Sequence, residues 1–288
     1  MALPIYVVDA FTARPFEGNP AAVCLLTEEA LDEQTMQQIA AEMNLSETAF
    51  VHPAADVSPG SGVEERLLRW FTPAAEVELC GHATLASAHL LWELGLADPA
   101  APIAFRTRWS GTLTCRRLDG PSGQPGEVAS DAGALIAMDF PADPPVEADP
   151  PPGLTETLGV TPIAVARGRY DWIVELSTAD EVRAAAPDFA ALARFDTRGV
   201  AVTALAEEGS DDDIVSRFFA PRLRIAEDPV TGSIHCALGP YYRERLGERS
   251  IAALQASARG GRLHVSCRDN RVELAGRAVT VLRGELGG

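Results

Sequence analysis

Basic residues are scarce in this chain: 24 Lys and Arg stand against 41 Asp and Glu, a net charge of −17 at pH 7. A nucleic-acid backbone or an anionic membrane surface would be repelled by such an average surface, so neither is expected as a partner. A small carboxylate stays compatible, because a locally positive pocket can oppose the global sign. No apolar run approaches the roughly 20 residues of a membrane helix. No basic leader precedes the strand-like Ile5–Ala10, so no signal peptide is expected. The five cysteines, Cys24, Cys80, Cys115, Cys236 and Cys267, are odd in number and include no C-x-x-C pair. That scatter fits a reducing, cytoplasmic setting better than a disulfide framework. Walker, G-x-G-x-x-G and G-x-S-x-G motifs are missing too, which removes the nucleotide and serine-hydrolase readings.

What is present is a globular composition, 47% apolar and 23% charged over 288 residues, long enough for two domains with cores of their own. Turn residues Glu17-Gly18-Asn19-Pro20 separate strand-like 5–10 and 21–26. Asp32 reads as an N-cap, with Met36, Ile39, Ala40 and Met43 at helical spacing behind it and a stop at Asn44. Residues 83–94 are apolar on nearly every face, the mark of a buried helix, and end at Gly95. Strands are expected at 49–51, 64–71, 103–107, 112–118, 134–140, 162–166, 172–176 and 199–205, with short alternating runs through 262–285. A third helix, from Ser233 to about Leu246, contains Pro240 and is expected to kink near Cys236.

One pattern occurs twice. Arg69-Trp70-Phe71-Thr72-Pro73 leads into Glu78-Leu79-Cys80-Gly81-His82. Arg217-Phe218-Phe219-Ala220-Pro221 leads into Glu227-Asp228-Pro229-Val230-Thr231-Gly232-Ser233. The two arginines are 148 positions apart (217 − 69), and the proline-rich 141–152 falls near the corresponding cut. Two half-domains, 1–140 and 141–288, are therefore expected. A glycine opening a helix lets first-turn N–H groups approach a ligand, and the helix dipole favours an anion there. Either turn alone is explained equally well as a tight strand-to-helix connection. As a matched pair, Gly81-His82 and Gly232-Ser233 suggest a carboxylate clamp.

Asp9-Ala10-Phe11 with Gly18-Asn19-Pro20, then Asn44-Leu45-Ser46-Glu47-Thr48, and then the two repeated motifs together resemble the PhzF-type, phenazine biosynthesis-like proteins, relatives of diaminopimelate epimerase. The resemblance implies an α+β fold of two similar half-domains. Each would be a curved, barrel-like, mostly antiparallel sheet around a central helix, with the terminal strand able to cross to the other half and the active site in the cleft between them. It also implies a cofactor-independent isomerase, commonly a homodimer, acting on a small carboxylate-bearing substrate of the dihydro-3-hydroxyanthranilate kind. Glu47 would move the proton, with His82 and Asp228 as further catalytic groups. Gly81, Gly232, Ser233, Thr231 and Cys80 would contact substrate.

The residues are chemically suited to those parts. A buried glutamate whose pKa is lifted can act as a general base, and Asp228 is held extended by Pro229. The epimerase relatives place a cysteine before each glycine, whereas here the pair is Cys80 and Thr231. A two-thiol racemase is thus disfavoured, while a single-cysteine epimerase or dehydratase, or a non-catalytic ligand-binding protein, stays as an alternative. Cys80, His82, His235 and Cys236 lack the paired spacing of structural zinc, and no metal is expected.

Overall fold

The computed structural model describes residues 3–26, 31–53, 64–118 and 134–287, and the chain divides into two compact units. The first comprises Met1–Asp139 with Ala275–Gly288, and the second Phe140–Leu274.

The first unit contains β1 (Leu3–Ala10), β2 (Asn19–Leu25), α1 (Glu33–Met43), β3 (Glu47–Pro53), β4 (Glu64–Phe71) and β5 (Glu76–Val77). It continues with α2 (Gly81–Glu93), β6 (Ile103–Arg106), β7 (Thr112–Leu118) and β8 (Leu135–Pro141). The turn before β2 needs a glycine: Gly18 has φ +67°, and a Cβ there would lie 2.1 Å from the Ala10 carbonyl oxygen. Asp32 caps α1 through Thr35 N–H at 2.7 Å, and Asn44 ends it in the left-handed conformation. β1 and β2 are antiparallel, β2 and β3 parallel, β3 and β4 antiparallel, and β4 and β6 parallel. Ala22, Cys24 and Phe50 pack with Met36 and Ala40 of α1. The alternate positions Ala21, Val23 and Ala49 are equally buried, on the side where α2 meets β1, β2 and β3. α2 is buried over His82–Ala88 and Leu90–Trp92, as its all-round apolar sequence predicts.

The second unit contains β9 (Val146–Glu147), α3 (Leu154–Leu158), β10 (Ala164–Arg167), β11 (Asp171–Glu175), α4 (Ala179–Ala184) and α5 (Phe189–Leu192). Then come β12 (Gly199–Leu205), β13 (Ile214–Ala220), β14 (Ile225–Asp228), α6 (Gly232–Leu246), β15 (Ile251–Gln255), β16 (Gly261–Arg268) and β17 (Arg271–Gly276). The last strand, β18 (Ala278–Leu286), pairs antiparallel with β1 and so belongs to the first unit. Pairing repeats that of the first unit: β10 and β11 antiparallel, β11 and β12 parallel, β12 and β13 antiparallel, β13 and β15 parallel. The short helices α3–α5 cover one side, where Val174, Val200, Val202, Val215 and Phe219 pack with Leu154, Leu158, Val182 and Leu192.

Pro240 lies inside α6, which nevertheless runs continuously to Leu246. A proline removes the N–H that would bond the carbonyl four residues back. That carbonyl, of Cys236, instead accepts from Asp143 N–H at 3.0 Å, so the proline-rich segment after β8 supplies the missing donor.

Candidate active site

In the first unit three of the expected site residues come together. Glu47 opens β3 opposite Ala21 of β2, directly after the α1 stop. Cys80 is the N-cap of α2 in an extended conformation (φ −142°, ψ 109°), which turns its side chain and that of His82 toward the end of the sheet where Glu47 begins. His82 Nδ1 is 3.4 Å from Cys80 Sγ, and Nε2 is 3.3 Å from Glu47 Oε2 without the alignment of a hydrogen bond. One ligating atom from each of the three residues lies within 4.8 Å of the other two. The cluster is enclosed: Cys80 is 6% exposed and the side chains of His82 and Glu47 are 7% and 15% exposed. Burial pushes the His82 imidazole down to about 3, so the ring is neutral at physiological pH and carries one N–H. Thr84 Oγ1 donates to Cys80 O at 2.6 Å and fixes the turn from behind.

The second unit assembles a different set. Asp228 ends β14, and Thr231 is the N-cap of α6 (φ −110°, ψ 101°), close to the conformation of Cys80. Thr231 Oγ1 donates a short hydrogen bond to Asp228 Oδ2. Gln255, fully buried at the end of β15, clasps both residues. Its Oε1 accepts Thr231 N–H at 2.8 Å, and its Nε2 donates to Asp228 O at 2.8 Å and Thr231 Oγ1 at 3.2 Å. Gly232 and partly exposed Ser233 form the first turn of α6. Gln255 escaped the sequence reading. Its signal is faint but present: in Ile251–Gln255 it shares the buried face of Ile251 and Ala253, an odd place for an amide.

The other two residues weighed as zinc ligands are turned into their own helix. His235 Nδ1 meets Thr231 O at 2.8 Å, and Cys236 Sγ contacts Gly232 O at 3.8 Å. Arg69 binds Glu76 through Nε at 2.6 Å and Nη2 at 2.6 Å, because β5 folds back on β4 with Glu76 opposite Phe71.

The chain matches the phenazine biosynthesis-like (PhzC-PhzF) family over residues 8–284. It is 47% identical over 287 residues to an uncharacterized isomerase of Halalkalibacterium halodurans, covering 99% of each. A PhzF-family structure from Enterococcus faecalis superposes with a TM-score of 0.85 at 38% identity, covering 100% of both chains. At 12% identity and a TM-score of 0.61, a probable proline racemase of Agrobacterium radiobacter shares the fold, over 99% of this chain and 93% of that one. These likenesses bear out the expected α+β architecture.

Proposed function

This chain belongs to the phenazine biosynthesis-like (PhzC-PhzF) family, and from that premise we propose that it is a cofactor-independent isomerase that shifts a proton along one face of a small carboxylate-bearing substrate. The isomerase name of the H. halodurans relative supports the class. The observation that carries the reading is the Glu47–His82–Cys80 cluster in one unit.

Glu47 takes a proton from a carbon made acidic by the neighbouring unsaturated, carboxylate-bearing system. The electron pair left behind delocalises, and the Glu47 carboxylic acid, which can exchange its proton with water while it holds it, delivers a proton to another carbon. Nothing is consumed and only a double bond moves. Neutral His82 donates its N–H to the substrate or to Glu47, and the first-turn amides of α2 receive the substrate carboxylate. Asp228, aligned by Thr231 and Gln255, accepts from a substrate amine or hydroxyl. A substrate of the dihydro-3-hydroxyanthranilate kind has each of these groups.

Racemisation needs an acid and a base on opposite faces. Glu47 and Cys80 share one cluster, and Thr231, at the position where a second thiol would stand, has its hydroxyl engaged with Asp228. All 24 Lys and Arg residues are arginine, so the sequence offers no lysine amine for Schiff-base chemistry. Proton transfer therefore falls to carboxylate, imidazole and thiol.

Cys80 Sγ, beside His82 Nδ1, favours a second reading, a single-cysteine epimerase or dehydratase. A panel of cyclic and amino carboxylates incubated in heavy water and followed by NMR separates the two. The isomerase reading expects Glu47→Gln to abolish deuterium incorporation while Cys80→Ala keeps most of it. Undiminished exchange in Glu47→Gln removes Glu47 from the role, and loss in Cys80→Ala alone favours the thiol.

A further inference from the structure

We propose that the Glu47–Cys80–His82 cluster is an acceptor site for a soft divalent cation such as Zn2+, and that the ion, once bound, inhibits the protein. A carboxylate oxygen, a thiol sulfur and an imidazole nitrogen, mutually within 4.8 Å, form the donor set. In tetrahedral zinc sites, with metal–ligand distances of about 2.0–2.3 Å, the donors stand roughly 3.3–3.8 Å apart. The 3.3 Å contact of Glu47 is to His82 Nε2 and the 3.4 Å contact of Cys80 is to Nδ1, so an ion held by either nitrogen finds one edge already at that spacing, and the other edges close with side-chain rotations.

Charge and softness agree. A thiolate and a carboxylate cancel the ion's two positive charges inside an enclosed site, where an unbalanced charge would be costly. Sulfur and imidazole donors select Zn2+ or Co2+ over Mg2+ and Ca2+. Three protein donors leave a fourth position for water or a substrate carboxylate, the arrangement of an open rather than a structural site. The backbone holds two of the donors in place beforehand, since both sit in the α2 cap that Thr84 fastens to Cys80 O. Inhibition follows because a Glu47 oxygen bound to metal cannot receive a proton. Only this consequence rests on the isomerase reading; the binding itself rests on the donor triangle.

The test is titration of the chelator-stripped protein with Co2+, whose thiolate charge-transfer absorption reports sulfur ligation, followed by displacement with Zn2+. The site predicts one saturating equivalent, a band lost in Cys80→Ser, and affinity lowered at least tenfold in Glu47→Gln and His82→Asn. Cys267→Ser, at a partly exposed cysteine in β16, leaves the band intact. Circular dichroism of each variant separates loss of a ligand from loss of fold, and Glu47→Gln carries the test if Cys80→Ser does not fold. A band that survives Cys80→Ser in folded protein, or the absence of a saturable equivalent in the wild type, overturns the proposal. Heavy-water exchange of the metal-free protein tests the isomerase reading separately, so the two can fail independently.

Discussion

The β3–β4–β5–α2 segment of the first unit and the β12–β13–β14–α6 segment of the second are two versions of one structure. Arg69 binds Glu76, and Arg217 binds Glu227 through Nε at 2.7 Å and Nη2 at 2.9 Å. Each arginine also stacks on the phenylalanine two residues on, at 5.1 Å from Phe71 and 5.0 Å from Phe219. In each helix the residue three after the glycine reaches back to the cap carbonyl: Thr84 to Cys80, His235 to Thr231. Register then relates the two proposed acids to their counterparts. Thr48 faces Phe71 as Val200 faces Phe219, so Glu47 corresponds to Gly199. Trp70 faces Val77 as Phe218 faces Asp228, so Asp228 corresponds to Val77. The arginine–glutamate–phenylalanine contacts are common to both units, while Glu47 and Asp228 each stand in only one of them.

The largest expected effect tests that division. If Glu47 carries the proton as proposed, Glu47→Gln should slow isotope exchange by about a hundred- to ten-thousand-fold, the usual worth of a positioned general base. Asp228→Asn keeps the shape of a group proposed to orient and exchanges one of its two acceptor oxygens for a donor, so it should cost less than loss of the proton carrier. Equal losses in the two variants would break the proposed asymmetry. Loosening the clasp with Gln255→Met removes three hydrogen bonds from Thr231 and Asp228. Catalytic turnover should fall toward the Asp228→Asn level, and its pH profile should shift, which general destabilisation alone would not produce.

Acid should strain the two helix cores in parallel. Burial lowers His82 to about 3 and His235 to about 4, against 6.5 for the unfolded chain. A depressed folded pKa means the unfolded state binds the proton first, so stability is full above pH 6.5. It is lost progressively as pH falls toward 4, by about 3 kcal/mol for His235 at 1.36 kcal/mol per pH unit. Urea melts from pH 7 to 4 measure this. His235→Gln, which keeps a donor toward Thr231 O, should flatten that slope; an unchanged slope would assign the loss elsewhere.

The second copy also lacks room for a glutamate. A Cβ on Gly199 would sit 2.2 Å from the Phe218 ring, so Gly199→Ala should cost about 1–3 kcal/mol by overpacking. A neutral result in thermal melts would show that the ring moves aside easily. This constraint marks the boundary of what the sequence discloses. The repeated Arg-aromatic-Phe-x-Pro runs and glycine turns are visible as text, and so are the all-apolar stretch that became α2 and the Asp32 cap. Which acid answers Arg69 depends on how β5 folds back on β4, and the repeated motif alone names no partner for that arginine. The correspondence of Glu47 with Gly199 needs strand register, and Gln255 needs the pairing of β15 with β13 that brings it under α6.

The smallest effect expected concerns the central helices. Measured from the helix-opening glycines, Pro240 of α6 stands where α2 has His89, an ordinary helical residue. A proline in a helix interior usually costs about 3 kcal/mol relative to alanine, so by propensity alone Pro240→Ala stabilises by that much. The carbonyl it would engage, of Cys236, already accepts Asp143 N–H at 3.0 Å. The new amide must share that oxygen or displace Asp143, whose side chain also accepts Arg169 N–H at 3.0 Å. The gain and the loss are then of similar size, and the melting temperature should move by no more than about 2 °C. A rise of roughly 8 °C or more would mean that the Asp143 contact contributes little. The proline in α6 would then be a plain defect relative to α2, whereas a flat response identifies it as the place where the preceding segment is fastened to the helix.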